Sequence, residues 1–179
     1  MEAEILLWIQ DYVRTPVLDS LMRGITHLGD FGIFWILMAL VLVLYPDTRR
    51  AGNVVIAGML ASFILNNLFL KNLVARTRPY EVIDGLTLLV DKASDLSFPS
   101  GHSATSFVAA VIILRLLPRR YGVSAMVLAA FIAFSRLYVG IHYPTDVLAG
   151  TVSGILIGLA ITKISGLWED RSGKGQARC

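Results

Sequence analysis

Five apolar runs, separated by segments with proline, glycine and charges, limit what this chain can fold into. A helix that crosses the hydrocarbon core of a bilayer needs about 20 predominantly apolar residues. The five runs cover residues 28–45, 51–70, 103–117, 123–138 and 147–164. Two of them, 28–45 and 103–117, are short and need neighbours such as His27 and Arg115 to complete their ends. The pattern predicts an all-α integral membrane protein with a bundle of about five transmembrane helices.

The composition agrees with a bilayer as the solvent of this chain. Of its 179 residues, 55% are hydrophobic and only 16% are charged. The net charge of +3 comes from basic residues at the ends of apolar runs, so membrane topology explains it and no nucleic-acid partner is expected. Cys179 is the single cysteine, which excludes an intramolecular disulfide and a cysteine-based metal site.

We expect one membrane domain with three parts: an amphipathic interfacial helix at residues 1–27, a transmembrane catalytic core at 28–164 and a cytoplasmic tail at 165–179. In the first part apolar residues recur every four positions, at Ile5, Ile9, Val13, Val17, Leu21 and Ile25. Thr15 followed by Pro16 suits a helix N-cap and a first helical position, so this part should break into two short helices. It can lie in the membrane interface, pack against the bundle, or do both.

Basic residues concentrate on one side of the predicted membrane. The turns at 46–50 and 118–122 and the tail contain Arg49, Arg50, Arg119, Arg120, Arg171, Lys174 and Arg178. Because cytoplasmic loops carry an excess of lysine and arginine, this side and the C-terminus should be cytoplasmic. The opposite side, with the connection at 71–101, should face outward from a multi-pass plasma-membrane protein.

A stripe of small residues runs along the last apolar segment. Gly150, Gly154 and Gly158 recur every four positions and therefore share one helix face. Such a face allows close helix packing, either inside the bundle or between two copies in a homo-oligomer.

Three polar clusters interrupt the apolar sequence at the same membrane face. They are residues 71–79, residues 99–102, and a third group made of Ser135, Arg136, His142 and Asp146. The spans alternate in direction, so the clusters should meet at one level. Ionisable groups at membrane depth are costly unless they are paired or hydrated, so their convergence indicates a functional site.

The residue types of these clusters predict a phosphate-binding pocket. Lys71, Arg78 and Arg136 supply cationic donors that match phosphate oxygens, and arginine can bind them in bidentate fashion. Ser100 and Gly101 stand where a loop becomes a helix, so backbone N–H groups and the positive end of the helix dipole can add to anion binding.

Two histidines in such a pocket can divide the work of phosphoryl transfer. We predict that His142 attacks phosphorus, with Asp146 four residues later fixing its tautomer and stabilising its positive state. His102 would be the general acid, and later the base that activates water. For His27, which has no partner motif, we expect packing at the membrane interface.

Taken together, the clusters resemble the signature of the type 2 phosphatidic acid phosphatase superfamily. All three parts of that signature are intact, at residues 71–79, at 99–102 and as Ser135-Arg136-x5-His142-x3-Asp146. The motifs and their spans cover about residues 51–164. One departure is that members with six spans have a full helix before the segment corresponding to 15–30, whereas here only residues 1–14 precede it.

The resemblance implies a membrane helical bundle that hydrolyses phosphomonoesters or diphosphates without a metal or other cofactor, through a phosphohistidine intermediate. It implies phosphate-binding roles for Lys71, Arg78, Ser100, Gly101 and Arg136. It also implies that His102 is the acid/base, His142 the nucleophile and Asp146 its partner, which agrees with the interpretation of the residues themselves.

The small size and the outward-facing site resemble bacterial members that act on undecaprenyl diphosphate, which is our first choice of substrate. Phosphatidylglycerophosphate, phosphatidate and lipid A phosphates are the alternatives. A transporter or binding protein that holds a lipid phosphate without cleaving it is the alternative of another class. The complete set of His102, His142 and Asp146 argues against that class, because anion binding requires neither a nucleophile nor an acid.

Overall fold

The structure is a computed structural model that describes residues 1–171, with side chains through Leu167. Its α-helices are α1 Glu2–Trp8, α2 Pro16–Leu28, α3 Ile33–Leu44, α4 Arg49–Ser62, α5 Lys71–Val74, α6 Pro79–Val82, α7 Gly101–Leu116, α8 Arg119–Tyr138 and α9 Pro144–Arg171. A π-helical segment, Ile9–Val13, continues α1, and a second one, Phe63–Leu70, joins α4 to α5. Residues 1–171 contain no strand, so the predicted all-α class is confirmed for them.

The membrane-spanning helices match the predicted apolar runs in part. Three helical stretches are long and apolar enough to cross a bilayer, at Arg49–Val82, Arg119–Tyr138 and Pro144–Leu167. A fourth crossing is formed if the bent pair Pro16–Leu28 and Asp30–Leu44 acts as one span. Helix α7 is apolar but shorter than these, so the count of five spans stays a prediction.

At two places the helices differ from the apolar runs of the sequence. The first apolar run does not continue as one helix from residue 28, because α2 and α3 meet at a bend of 47°. Phe31 and Gly32 have positive φ values of 52° and 68° at this bend, which an α-helix cannot accommodate. At the other end, α9 continues beyond residue 164 to Arg171, so part of the expected tail is helical. The remainder of that tail, including Cys179, lies outside the described residues.

The N-terminal segment breaks where the sequence predicts. Arg14 and Thr15 are extended, and the Thr15 side chain caps α2 by accepting a hydrogen bond from the N–H of Leu18 at 3.3 Å. On the other side of the break, Leu6 and Ile9 are buried against the bundle and its loops. The packing that we considered for this segment is therefore present.

Helix α7 forms the centre of the bundle and packs against α4, α8 and α9. Its buried residues are mostly small or β-branched, as at Ala104, Val108 and Ile112, which lets three neighbours approach it closely. A polar contact joins it to α3, because the Trp35 indole N–H donates to Ser106 Oγ at 2.9 Å. The first residues of α7 are thereby held at a fixed position at the end of the bundle.

The glycine stripe of α9 packs inside the chain, against α7. A Cβ atom added at Gly154 would lie 3.1 Å from the Cβ of Phe107 and still closer to the carbonyl oxygen of Ala104. Gly158 faces Val111 in the same manner. Of the two roles considered for the stripe, intramolecular packing is the one that the structure shows.

We expect Gly154→Leu to destabilise the protein by about 1–3 kcal/mol, because the added side chain must separate α7 from α9. The temperature of thermal unfolding of the detergent-solubilised protein measures this effect. Gly166→Leu is the matched control on the same helix, since a Cβ atom there meets nothing within 4 Å. Equal unfolding temperatures for the two variants would contradict the packing argument.

Candidate active site

A cavity of about 690 Å³ opens at the end of the bundle where α7 and α9 begin. Its lining includes six predicted site residues, Lys71, Arg78, Gly101, His102, Arg136 and His142. Ser100 and Asp146 are fully buried and do not line it. The structure therefore brings the three sequence clusters together, as the alternation of the spans predicts.

His142 and Asp146 form a buried pair behind the cavity. His142 lies in the turn between α8 and α9, and Asp146 lies in the first turn of α9. Asp146 Oδ2 is 3.5 Å from His142 Nδ1 and accepts hydrogen bonds from Ser97 Oγ at 2.5 Å and from the N–H of Tyr143 at 3.0 Å. Ser97, Tyr143 and His142 thus surround this carboxylate oxygen, which faces Nδ1 of the imidazole ring.

The other ring nitrogen of His142 faces the cations. Arg78 Nη1 is 3.1 Å from His142 Nε2, and a guanidinium group can only donate, so Nε2 must accept. The pKa of His142 lies below its usual value. Burial is the main cause, and the positive charges of Arg136 and Arg78 lower the pKa further, whereas Asp146 raises it. The imidazole is therefore neutral at neutral pH, with its proton on Nδ1 and a lone pair on Nε2.

Two of the predicted phosphate-binding cations are paired with one carboxylate. Asp95, in the connection between α6 and α7, accepts hydrogen bonds from Lys71 Nζ through one oxygen and from Arg78 Nη2 through the other. Burial would raise the pKa of Asp95, but these two cations outweigh it and the pKa lies below its usual value. The ionised carboxylate of Asp95 is thus bound to Lys71 and Arg78, two of the cations that we predicted to bind phosphate.

Arg136 supplies the third cation from the last turn of α8. It is 5% exposed, and its Nη1 donates to Thr26 Oγ1 at 2.7 Å. Its Nε is buried and has no hydrogen-bond partner among the described residues. A buried donor without a partner is costly, so this guanidinium retains capacity to bind an anion in the cavity that it lines.

At the start of α7, Ser100 and Gly101 have different surroundings. The Ser100 side chain caps the helix, accepting from the N–H of Ser103 at 3.4 Å, and its own N–H donates to the carbonyl of Asp146 at 3.0 Å. Neither group of Ser100 is therefore directed at the cavity, and the residue links α7 to α9. Gly101 lines the cavity and begins the helix, whose first N–H groups have no intrahelical acceptor.

His102 has a carboxylate partner that the sequence did not predict. Its Nε2 is 2.9 Å from Asp30 Oδ1, in the turn between α2 and α3. The second oxygen of Asp30 is 2.7 Å from His27 Nδ1. His27, for which we expected packing at the membrane interface, is thus a neighbour of the site.

The N-terminal helix is tied to the site at both of its ends. Arg76 donates to Glu2 Oε2 at 2.6 Å and to Asp146 Oδ1 at 2.8 Å, so it links the first helix to the buried carboxylate. At the other end Arg14 Nε donates to the carbonyl of Tyr138 at 3.0 Å, four residues before His142. The first 14 residues therefore contact both sides of the turn that holds His142.

Sequence reasoning missed several side chains that contact the predicted residues, among them Asp30, Arg76, Ser97 and Asp95. Arg76 lies within the first polar cluster, and Asp30 is an acid at the start of an apolar run, so both carried a detectable signal. Ser97 and Asp95 are ordinary residues of a mixed loop, and only the folded chain shows where they lie.

The fold and the cavity together define a helical membrane protein in which three cations line a cavity beside a histidine–carboxylate pair. Residues 51–169 match the PAP2 superfamily, which covers most of the chain and confirms the predicted family. The chain belongs to this superfamily, and its relatives include lipid phosphatases.

Two relatives and one solved structure illustrate this kinship. An undecaprenyl-diphosphatase from Sulfolobus acidocaldarius is 29% identical over 86% of this chain and 74% of its own length. A decaprenylphosphoryl-5-phosphoribose phosphatase from Mycobacterium tuberculosis is 35% identical over 86% of this chain and 84% of its own. The crystal structure of a transmembrane PAP2-type phosphatidylglycerolphosphate phosphatase from Bacillus subtilis superposes with a TM-score of 0.76 at 29% identity, covering 93% of this chain and 85% of that one.

We expect Asp95→Asn to strengthen inhibition of the purified protein by inorganic phosphate. The carboxylate competes with an anion for Lys71 and Arg78, and an ionic contact of this half-exposed kind is worth up to about 1 kcal/mol, or roughly fivefold in the inhibition constant. The inhibition constant for phosphate release measures it, with exposed Asp84 changed to asparagine as the control. Weaker inhibition of Asp95→Asn would mean that this carboxylate helps to bind the anion by positioning the two cations.

Proposed function

We propose that this protein hydrolyses a lipid phosphate or diphosphate without a metal ion, through a phosphohistidine on His142. The observation that carries the proposal is the state of that imidazole, whose Nε2 lone pair faces a cavity with three buried cations while Nδ1 faces Asp146. A nucleophile directed at a phosphate site requires this arrangement.

In the first step His142 Nε2 forms a bond to phosphorus, and the bond from phosphorus to the lipid oxygen breaks. His102, in its protonated form, gives its proton to the departing oxygen. Lys71, Arg78 and Arg136 stabilise the negative charge on the three other phosphoryl oxygens. Asp146 stabilises the positive charge that the ring of His142 acquires when Nε2 is phosphorylated.

In the second step water replaces the imidazole on phosphorus. His102, now neutral, takes a proton from that water while its oxygen attacks, and the bond between phosphorus and Nε2 breaks. Inorganic phosphate leaves, His142 regains its lone pair, and His102 is again protonated. The cycle consumes one water molecule and needs no other reactant.

For the substrate we favour undecaprenyl diphosphate, which would be converted to undecaprenyl phosphate and inorganic phosphate. The named activities of the Sulfolobus and Mycobacterium relatives support a polyprenyl lipid. Phosphatidylglycerophosphate, phosphatidate and lipid A phosphates are the alternatives, and a phosphatidylglycerophosphatase and a lipid A 4'-phosphatase are among the relatives. The cations of the site recognise the phosphoryl group that all of these substrates share.

The orientation that we propose has five spans, with α7 crossing as a short helix, the site on the extracytoplasmic side and the C-terminus in the cytoplasm. The distribution of lysine and arginine supports it. Cys179, the single cysteine, offers a direct test in intact cells. A membrane-impermeant maleimide should label it only after the cells are opened, and labelling of closed cells would reverse the orientation.

The decisive experiment is phosphate release by the purified, detergent-solubilised protein in EDTA. We expect activity on at least one of undecaprenyl diphosphate, phosphatidylglycerophosphate and phosphatidate. His142→Ala should lose it by at least roughly 10³-fold, because no other group replaces the nucleophile. A strong preference for one lipid would identify the substrate, and similar rates on all three would indicate a broad lipid phosphatase.

Three outcomes would contradict the proposal. Phosphate release that persists in His142→Ala would remove the nucleophile from this position. Activity that EDTA abolishes and magnesium restores would contradict a metal-independent reaction. Binding of all three lipids without any release would favour the alternative class, a binding protein or transporter for lipid phosphates.

A further inference from the structure

Asp30 connects the two histidines that lie outside the His142 pair. Its carboxylate bridges them, with Oδ1 at 2.9 Å from His102 Nε2 and Oδ2 at 2.7 Å from His27 Nδ1. Both rings line the cavity, but His102 is mostly buried, whereas the side chain of His27 is 63% exposed. Both carboxylate oxygens are therefore committed to imidazole nitrogens, one on a buried ring and one on an exposed ring.

The surroundings of His102 make a negative partner necessary for an acid. Arg78 and Arg136 line the same cavity, and two fixed positive charges disfavour a third on His102. A general acid must nevertheless hold its proton when the substrate arrives. Asp30 is the carboxylate in contact with this ring, so its charge offsets that of the arginines.

The bend between α2 and α3 places this carboxylate. Phe31 and Gly32 have positive φ values there, and the turn directs Asp30 towards the start of α7. Thr26, in the last turn of α2, accepts a hydrogen bond from Arg136 at 2.7 Å. Asp30 and Thr26 thus contact the cavity residues His102 and Arg136. Both precede residues 51–169, the region that matches the superfamily.

We propose that Asp30 is the positioning residue of the acid/base, orienting His102 and stabilising its protonated form, and that His27 holds the second carboxylate oxygen in place. The inference rests on the function proposed above. The site then has two histidine–carboxylate pairs, in which Asp146 serves the nucleophile and Asp30 serves the acid. With Nε2 of His102 held by Asp30, the proton given to the departing oxygen comes from Nδ1.

The demand for this proton depends on the leaving group. Phosphatidate releases an alcohol, whose oxygen must be protonated as the bond to phosphorus breaks. The p-nitrophenyl phosphate ester releases a stable phenolate and requires no proton in that step. Replacing a residue that acts through the acid should therefore slow the hydrolysis of phosphatidate but not the release of p-nitrophenolate. General damage to the site would slow both reactions.

The test compares purified full-length wild type, Asp30→Asn and the exposed control Asp84→Asn in detergent with EDTA. We expect kcat of Asp30→Asn on phosphatidate to fall about 10²-fold with KM within threefold of wild type, which is the usual size of a general-acid contribution. With protein in excess over p-nitrophenyl phosphate, the rate of p-nitrophenolate release should stay within about threefold of wild type. Asp30→Glu should restore part of kcat.

A parallel fall of both rates in a folded Asp30→Asn, or an unchanged kcat on phosphatidate, would overturn the role of Asp30. His27→Gln keeps the test decisive if Asp30→Asn does not fold, since it should lower kcat on phosphatidate several-fold and leave p-nitrophenolate release unchanged. Phosphatidylglycerophosphate, which also releases an alcohol, replaces phosphatidate in this test if wild type does not hydrolyse phosphatidate. If wild type released neither phosphate from any of the three lipids nor p-nitrophenolate, the proposed function would fail, and this inference with it. If wild type is active and the variants have the same kcat on phosphatidate as wild type, this inference alone is overturned.

Discussion

The burial of positive charge within an apolar bundle is the constraint on which the rest of the site depends. Lys71, Arg78 and Arg136 are each less than 10% exposed, and a buried cation is costly unless oxygen atoms surround it. The fold supplies those oxygens from segments outside the three polar clusters: Asp95 for the first two cations and Thr26 for the third. The loops and the bend between α2 and α3 are therefore parts of the site.

Much of this arrangement could be predicted from the sequence because its causes are local. Apolar runs locate α8 and α9 to within a few residues at their starts, and Thr15 with Pro16 marks the break in the N-terminal segment. The alternating direction of successive spans is enough to bring the polar ends of those runs to one level. Residue type and spacing then identify His142 and Asp146 as a pair, which lie 3.5 Å apart.

What could not be predicted depends on contacts between distant parts of the chain. Asp30 and His102 are 72 positions apart, and no periodicity relates them. The bend at Phe31 and Gly32 lies next to an apolar run, and apolarity alone does not reveal a positive φ. The contact of Ser100 with α9 could not be predicted for a related reason, since a cap motif does not show which acceptor its backbone N–H meets.

The tie between Glu2 and Arg76 has a practical consequence for handling the protein. Arg76 also holds Asp146, so the second residue of the chain is separated from the buried carboxylate by a single guanidinium group. A purification tag, fluorescent fusion or immobilisation linker attached at Met1 would be joined next to the ionic contacts through which Arg76 holds Asp146. The far end of α9 lies at the opposite end of that helix from Asp146, which makes the C-terminal side the suitable place for such attachments.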